Sequence, residues 1–130
     1  MKQHSTNYCD AFIEVAADCP TASALIPPAG DPKSQARREY EMIADHPYQH
    51  TSDDVLYATK GEPKGISREE YFSKGQPCLR ASTLTKRYGW GVHCDAHGKI
   101  ALVARESEEY RTLAADAQLW HLQAMRNSKA

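Results

Sequence analysis

Between Lys74 and Arg105 the chain carries six cations, Lys74, Arg80, Lys86, Arg87, Lys99 and Arg105, against the single acid Asp95. Tyr88 and Trp90 lie among them. Cations beside aromatic rings suit an anionic partner, because charge positions the anion while ring faces stack on whatever carries it. Lys74, Arg80, Lys86, Arg87, Tyr88 and Trp90 are therefore the candidate ligand-binding residues, for a small anionic ligand or an acidic protein surface. The bland alternative is a solvated charged surface with Trp90 in the core. The formal net charge of −1 gives no general pull toward nucleic acid or an anionic membrane. Neither is expected as a partner.

Cys78 and His93 are the candidate catalytic pair. A nucleophilic thiolate needs a lowered pKa from an adjacent base, and His93 is that base if the two segments pair in register. Otherwise Cys78 is a small buried residue of a strand. His93, Cys94, Asp95 and His97 resemble a metal cluster in composition only. Their spacing puts His93 and Asp95 on one strand face and Cys94 on the other, and zinc draws ligands from more than one element. No metal is expected. Asp53 and Asp54 read as helix-start charges rather than an acid/base pair. No P-loop, dinucleotide-binding glycine pattern, nucleophile elbow or H-E-x-x-H occurs, so no cofactor is implied. Glycines on both sides of Trp90 weaken a strand there, so a bulge, a close backbone approach or a cleft floor should offset them.

The elements that must hold these residues can be read from pattern. Ala11–Ala16 alternates as a strand, with Ile13 and Val15 toward the core. Asp31-Pro32 opens a helix, because Asp caps free amides and proline suits the first turn. Its apolar stripe is Ala36, Tyr40 and Ile43; Arg37, Arg38, Glu39 and Glu41 fall on the wet side. His46-Pro47 stops it. Thr51-Ser52-Asp53-Asp54 opens a second, short helix that Lys60-Gly61 closes, although Val55–Thr59 has strand propensity. Ser67–Glu70 matches a capping box, giving a helix to about Ser73. Cys78–Ser82 reads as a strand. Tyr88–His93 and Lys99–Arg105 flank a turn and form a hairpin. Ser107 opens another helix. Leu119, Leu122 and Met125, with Trp120 beside them, suggest a last amphipathic helix, and the chain frays from Asn127.

At 130 residues, 41% hydrophobic and 25% charged, the sequence fits one globular domain spanning 1–130. Such a chain buries roughly two-thirds of its unfolded surface. Met1–Asp10 lacks the apolar run of a signal peptide, and no stretch reaches the ~20 apolar residues of a membrane helix. The four cysteines include no C-x-x-C pair and read as thiols of a reducing, cytoplasmic compartment. The blocks FSKGQPCLR and LTKRYGWG, with TNYCDAFIEVAADCP and HPYQHTSDDVLY, resemble a family of small bacterial proteins known only as a domain of unknown function. That resemblance spans nearly the whole chain and implies no reaction, cofactor or catalytic residue. The chain departs from the family pattern at Thr83, where proline is expected, and is shorter between Tyr57 and Tyr71. The expected fold is α+β: a small antiparallel sheet of about four strands, including the hairpin of the C-terminal half, under four or five helices. The expected function is a binding or interaction domain that uses the basic and aromatic sheet region. The alternative is a thiol-dependent enzyme using Cys78 and His93.

Overall fold

The structure, a computed structural model, describes residues 4–127. Four strands, β1 (Ala11–Glu14), β2 (Trp90–Cys94), β3 (Ile100–Ala104) and β4 (Trp120–Gln123), form one sheet in the order β3-β2-β1-β4. Five α-helices accompany them: α1 (Gln35–Ala44), α2 (Ser52–Leu56), α3 (Arg68–Tyr71), α4 (Thr83–Lys86) and α5 (Glu108–Ala114). The architecture is α+β, as the pattern indicates. Its sheet is mixed rather than wholly antiparallel, because β4 runs parallel to β1 while β1–β2 and β2–β3 are antiparallel.

Register sorts the side chains into two faces. Ala11 lies opposite Cys94, Ile13 opposite Val92, and Cys94 opposite Ile100. Directly opposed residues share a face. These residues enter the main core with Ala36 and Ile43 of α1, Val55 and Leu56 of α2, and Leu79 and Leu84. Phe12, Gly91, His93 and Ala101 share the other face, which α5 covers. Both faces of β1 are therefore buried: Phe12 is as enclosed as Ile13. The Tyr110 ring of α5 meets Phe12 edge-on at 5.0 Å. A Cβ on Gly91 would lie 2.8 Å from Tyr110 and 2.9 Å from Phe12, so close ring packing offsets the loss of a side chain there. Gly89 has φ +80° and packs against Thr21, Ser23 and Ala24. Neither glycine forms a cleft floor.

The local start and stop signals mostly act as expected. Thr51 and Asp54 form a reciprocal capping box on α2. Ser67 and Ser107 accept amide hydrogen bonds from Glu70 and Tyr110. The hairpin turn is held by Asp95, whose Oδ1 accepts from the His97 and Lys99 amides, with Gly98 at φ +77°. Four expectations are corrected. Helix α1 starts at Gln35 rather than at Asp31-Pro32, because Ser34 supplies the cap that accepts from the Arg37 amide. Lys60-Gly61 does not close the second helical run. The winding loosens to a π turn over Tyr57–Gly61, then tightens to a 3-10 turn over Glu62–Lys64, and ends at left-handed Gly65. Cys78–Ser82 is not a strand. Leu79–Ala81 makes a 3-10 turn, and the Ser82 hydroxyl caps α4 by accepting from the Leu84 amide. Thr83, where proline is expected, is the first residue of α4, a position that suits proline. The last amphipathic helix is instead β4, because the open edge of β1 gives its backbone a ladder. Asn127 is tied by hydrogen bonds to Asp18 and to the Lys86 carbonyl; the rest of the segment expected to fray, like the first three residues of the Met1–Asp10 segment, lies outside the described residues.

Candidate functional site

Of the basic and aromatic set, only Trp90 stands on the sheet. Lys74 is in an exposed loop, Arg80 in the 3-10 turn, Lys86 in α4, and Arg87 and Tyr88 just after it. Trp90 is half-buried: its Nε1–H donates to the Leu25 carbonyl at 2.8 Å and its ring lies 5.6 Å from Tyr40. Arg80 Nε donates to the Gln123 carbonyl at 2.7 Å, which fastens the end of β4. The six residues therefore occupy a run of turns leading into β2, and not one face of the sheet.

Cys78 and His93 are on opposite sides of the sheet. His93 shares the α5 face with Phe12, and its Nδ1 is 2.8 Å from the Tyr48 hydroxyl. Cys78 lies on the α1 side, where the Tyr8 hydroxyl donates to its Sγ at 3.6 Å. His93 is thus not placed to act as base for Cys78. Cys94 is buried in the core, and burial pushes its thiol up to about 12, which leaves it inert. All four cysteines are free thiols. Among the described residues, no group of His, Cys, Asp and Glu side chains is placed to hold a metal ion. Asp53 and Asp54 face different partners, Ser5 and Thr6 for the first and Thr51 and Arg68 for the second.

What Cys78 does border is a recess of about 80 Å³, walled by Gln35 and Glu39 of α1, Leu56, Lys60, and Ala81–Thr83. Gln35 and Lys60 also line a wider cleft of about 480 Å³, completed by Arg38, Thr59, Pro63, Lys64, Tyr71, Gln76 and Pro77. These shared walls place the recess beside the cleft. Its volume is within the range of small-molecule sites. The π turn puts Thr59 and Lys60 on its wall, and π segments inside helices often mark functional sites.

Glu39 is the acid among these lining residues, and it is 1% exposed. Its Oε1 accepts from the Ser82 hydroxyl at 2.7 Å and its Oε2 from the Gln35 amide at 2.9 Å. Burial pushes its carboxyl above the usual range, against the opposing pull of these two hydrogen bonds. The side chain expected on the wet side of α1 is thus its most buried polar group. Spacing could have revealed it, since Glu39 is three residues after Ala36 and four before Ile43, on the apolar stripe itself. The cations Arg38, Lys60 and Lys64 line the adjoining cleft. Tyr71, 4% exposed, also lines the cleft, and its hydroxyl has no hydrogen-bond partner.

The model of the DUF6157 family, a family of unknown function, matches residues 3–130. The chain belongs to that family. No curated protein and no solved structure matches it. A DUF6157 chain thus brings no inherited chemistry to this cleft, and its function must be argued from the lining itself.

Proposed function

We propose that this DUF6157 chain binds a small anionic molecule in the cleft between α1, the turns of Tyr57–Lys64 and the segment Gln76–Thr83, without turning it over. The observation that carries the reading is that Arg38, Lys60 and Lys64 line one concave cleft, while Glu39, the acid of the adjoining recess, is pushed toward its neutral form. Cations held on a pocket wall recognise carboxylate or phosphate by charge-assisted hydrogen bonds. The ligand expected from the charge pattern is retained; its place moves from the Lys74–Trp90 segment to the cleft. Four free thiols suit a reducing compartment, and the reading is of a bacterial cytosolic domain.

The test is a thermal-shift screen with millimolar inorganic phosphate, citrate and sugar phosphates. At least one should raise the melting temperature of the native chain, by mass action on the folded state. Arg38→Glu with Lys64→Glu should abolish that rise, while Lys86→Glu with Arg87→Glu should leave it. The reverse pattern puts the anion on the basic segment, and no shift with any anion removes the reading.

One observation favours a thiol enzyme as the second reading: Cys78 borders the same recess as Glu39 and Lys60. In this version Glu39 or Lys60, and not His93, moves the proton. Cys78 should then be alkylated by iodoacetamide well below the pH at which an ordinary thiol, pKa ~8.5, reacts. A rate that rises only near that ordinary pKa rules the enzyme out.

A further inference from the structure

We propose that the occupant of the cleft carries two separate anionic groups, one held by Arg38 and the other by Lys60 with Lys64. This rests on the cleft reading above and narrows it to a class of ligand, a short molecule bearing two carboxylates or two phosphates.

The other half-buried arginines among the described residues are all engaged. Arg37 donates to Glu41 and to the Pro27 carbonyl, Arg80 to the Gln123 carbonyl, and Arg105 to the Thr21 carbonyl. Arg38 is half-buried as well, yet it forms no hydrogen bond or ion pair with any described residue. Lys60, half-buried, and Lys64, exposed, form none either. A cation drawn partly out of water ordinarily finds a partner that replaces the lost hydration. These three line one cleft, and no Asp or Glu lines it with them. Glu39, in the adjoining recess, is not their counter-ion. Lys60 and Arg38 pull on its carboxyl less than Ser82 and Gln35 do, and burial outweighs all four. The cleft therefore holds an unbalanced positive charge.

The number and kind of these cations set the class. A single anionic group leaves part of that charge unmatched. The guanidinium is a planar fork that fits a carboxylate or phosphate, whereas the two ammonium groups act as point charges. Arg38 belongs to α1, while Lys60 and Lys64 come from the π and 3-10 turns, so the two kinds of anchor stand on separate elements. Pro63 and Pro77 line the same cleft and offer carbon surface to the skeleton that joins the anionic groups.

Two matched pairs count the anionic groups and separate carboxylate from phosphate: valerate against glutarate, and propyl phosphate against propane-1,3-diyl bisphosphate. By calorimetry the native chain should bind the doubly anionic member of at least one pair about tenfold more tightly. Arg38→Gln alone, and Lys60→Gln with Lys64→Gln, should each bring that ratio to about one, because each removes one anchor. Lys86→Gln with Arg87→Gln should keep it. The cleft variants should melt within about 3 °C of the native chain, since the lost charges hold no other group. A cleft variant that melts far earlier overturns the proposal, because its cations would then be bracing the wall. Equal binding within both pairs, weakened in the cleft variants, overturns it and leaves the cleft reading standing. A ratio that the cleft variants keep, a ratio lost with Lys86 and Arg87, or no binding of any of the four removes both.

Discussion

Glu39 is almost wholly removed from water, and a carboxyl so placed holds its proton more tightly in the folded chain than in the unfolded one, even against the pull of Ser82 and Gln35. The resulting stability is fully present below the unfolded pKa, about 4.3, and is lost as pH rises through the higher folded value. Glu39→Gln removes this titration while preserving shape. Its carbonyl can still accept from Ser82, and Gln35 can turn its amide to present oxygen. The variant should therefore gain on the native chain in urea midpoint between pH 5 and pH 8. A difference between the two that stays flat across that window would mean that Glu39 is no more protonated than a surface acid. The same residue explains why the site was hard to see in advance. Charge ordinarily assigns Glu to the solvent side of a helix. Its position between Ala36 and Ile43 says otherwise, and the Ser82 hydroxyl that satisfies it is 43 residues further along the chain.

At the scale of elements, signals carried by neighbouring residues were legible and those carried by distant ones were not. The hairpin, the caps at Thr51, Ser67 and Ser107, and the stop at His46-Pro47 each follow from a few consecutive residues, and each holds. The Tyr57–Gly61 π turn follows from no short pattern. Gly61 looks like a helix stop because it follows Lys60, yet its φ is −88° and the left-handed stop falls at Gly65. Gly61 is there because the rings of Tyr57 and Tyr71 close over it, and Tyr71 belongs to the next helix. Residues 119–125 failed for a related reason. Leu119, Leu122 and Met125 have helical spacing, but the partner that decides their conformation is the edge of β1, more than a hundred residues earlier. The cleft lining is drawn from α1, the π turn, the end of α3 and the turns around Cys78, so no single stretch of sequence announces it. The Lys74–Arg105 charge excess was visible because it is contiguous, and contiguity is not convergence.

On the scale of the whole molecule, a strap that precedes the sheet reaches Cys78 at the edge of the recess. Residues 4–8 run over α2 and α3 before entering β1. The His4 amide donates to the Phe72 carbonyl, and Tyr8 ends over Cys78. Asp53 fastens the middle of this strap. Its Oδ1 accepts from the Thr6 amide and hydroxyl, both at 2.7 Å, and its Oδ2 accepts from the Ser5 hydroxyl at 2.8 Å. The Asp53 amide donates in return to Asn7 Oδ1. Hydrogen bonds to a charged acceptor are worth about 1.5–3 kcal/mol each, but the freed strap groups can turn to water, so the three will not add. Asp53→Ala should cost about 2–4 kcal/mol, a fall of roughly 10 °C in melting temperature for a chain of this size. It should also speed alkylation of Cys78 relative to Cys9, because Tyr8 no longer stays over the sulfur. Asp54→Ala is the matched control, since it loses the side-chain half of the α2 capping box and a surface ion pair with Arg68 but keeps the Thr51 cap and leaves the strap tied. It should lower stability by about 1 kcal/mol without changing the Cys78 rate. An Asp53 variant that melts early with Cys78 as slow as before would show that the strap stabilises the fold but does not guard the recess. Cover for Cys78 would then have to come from the cleft walls alone.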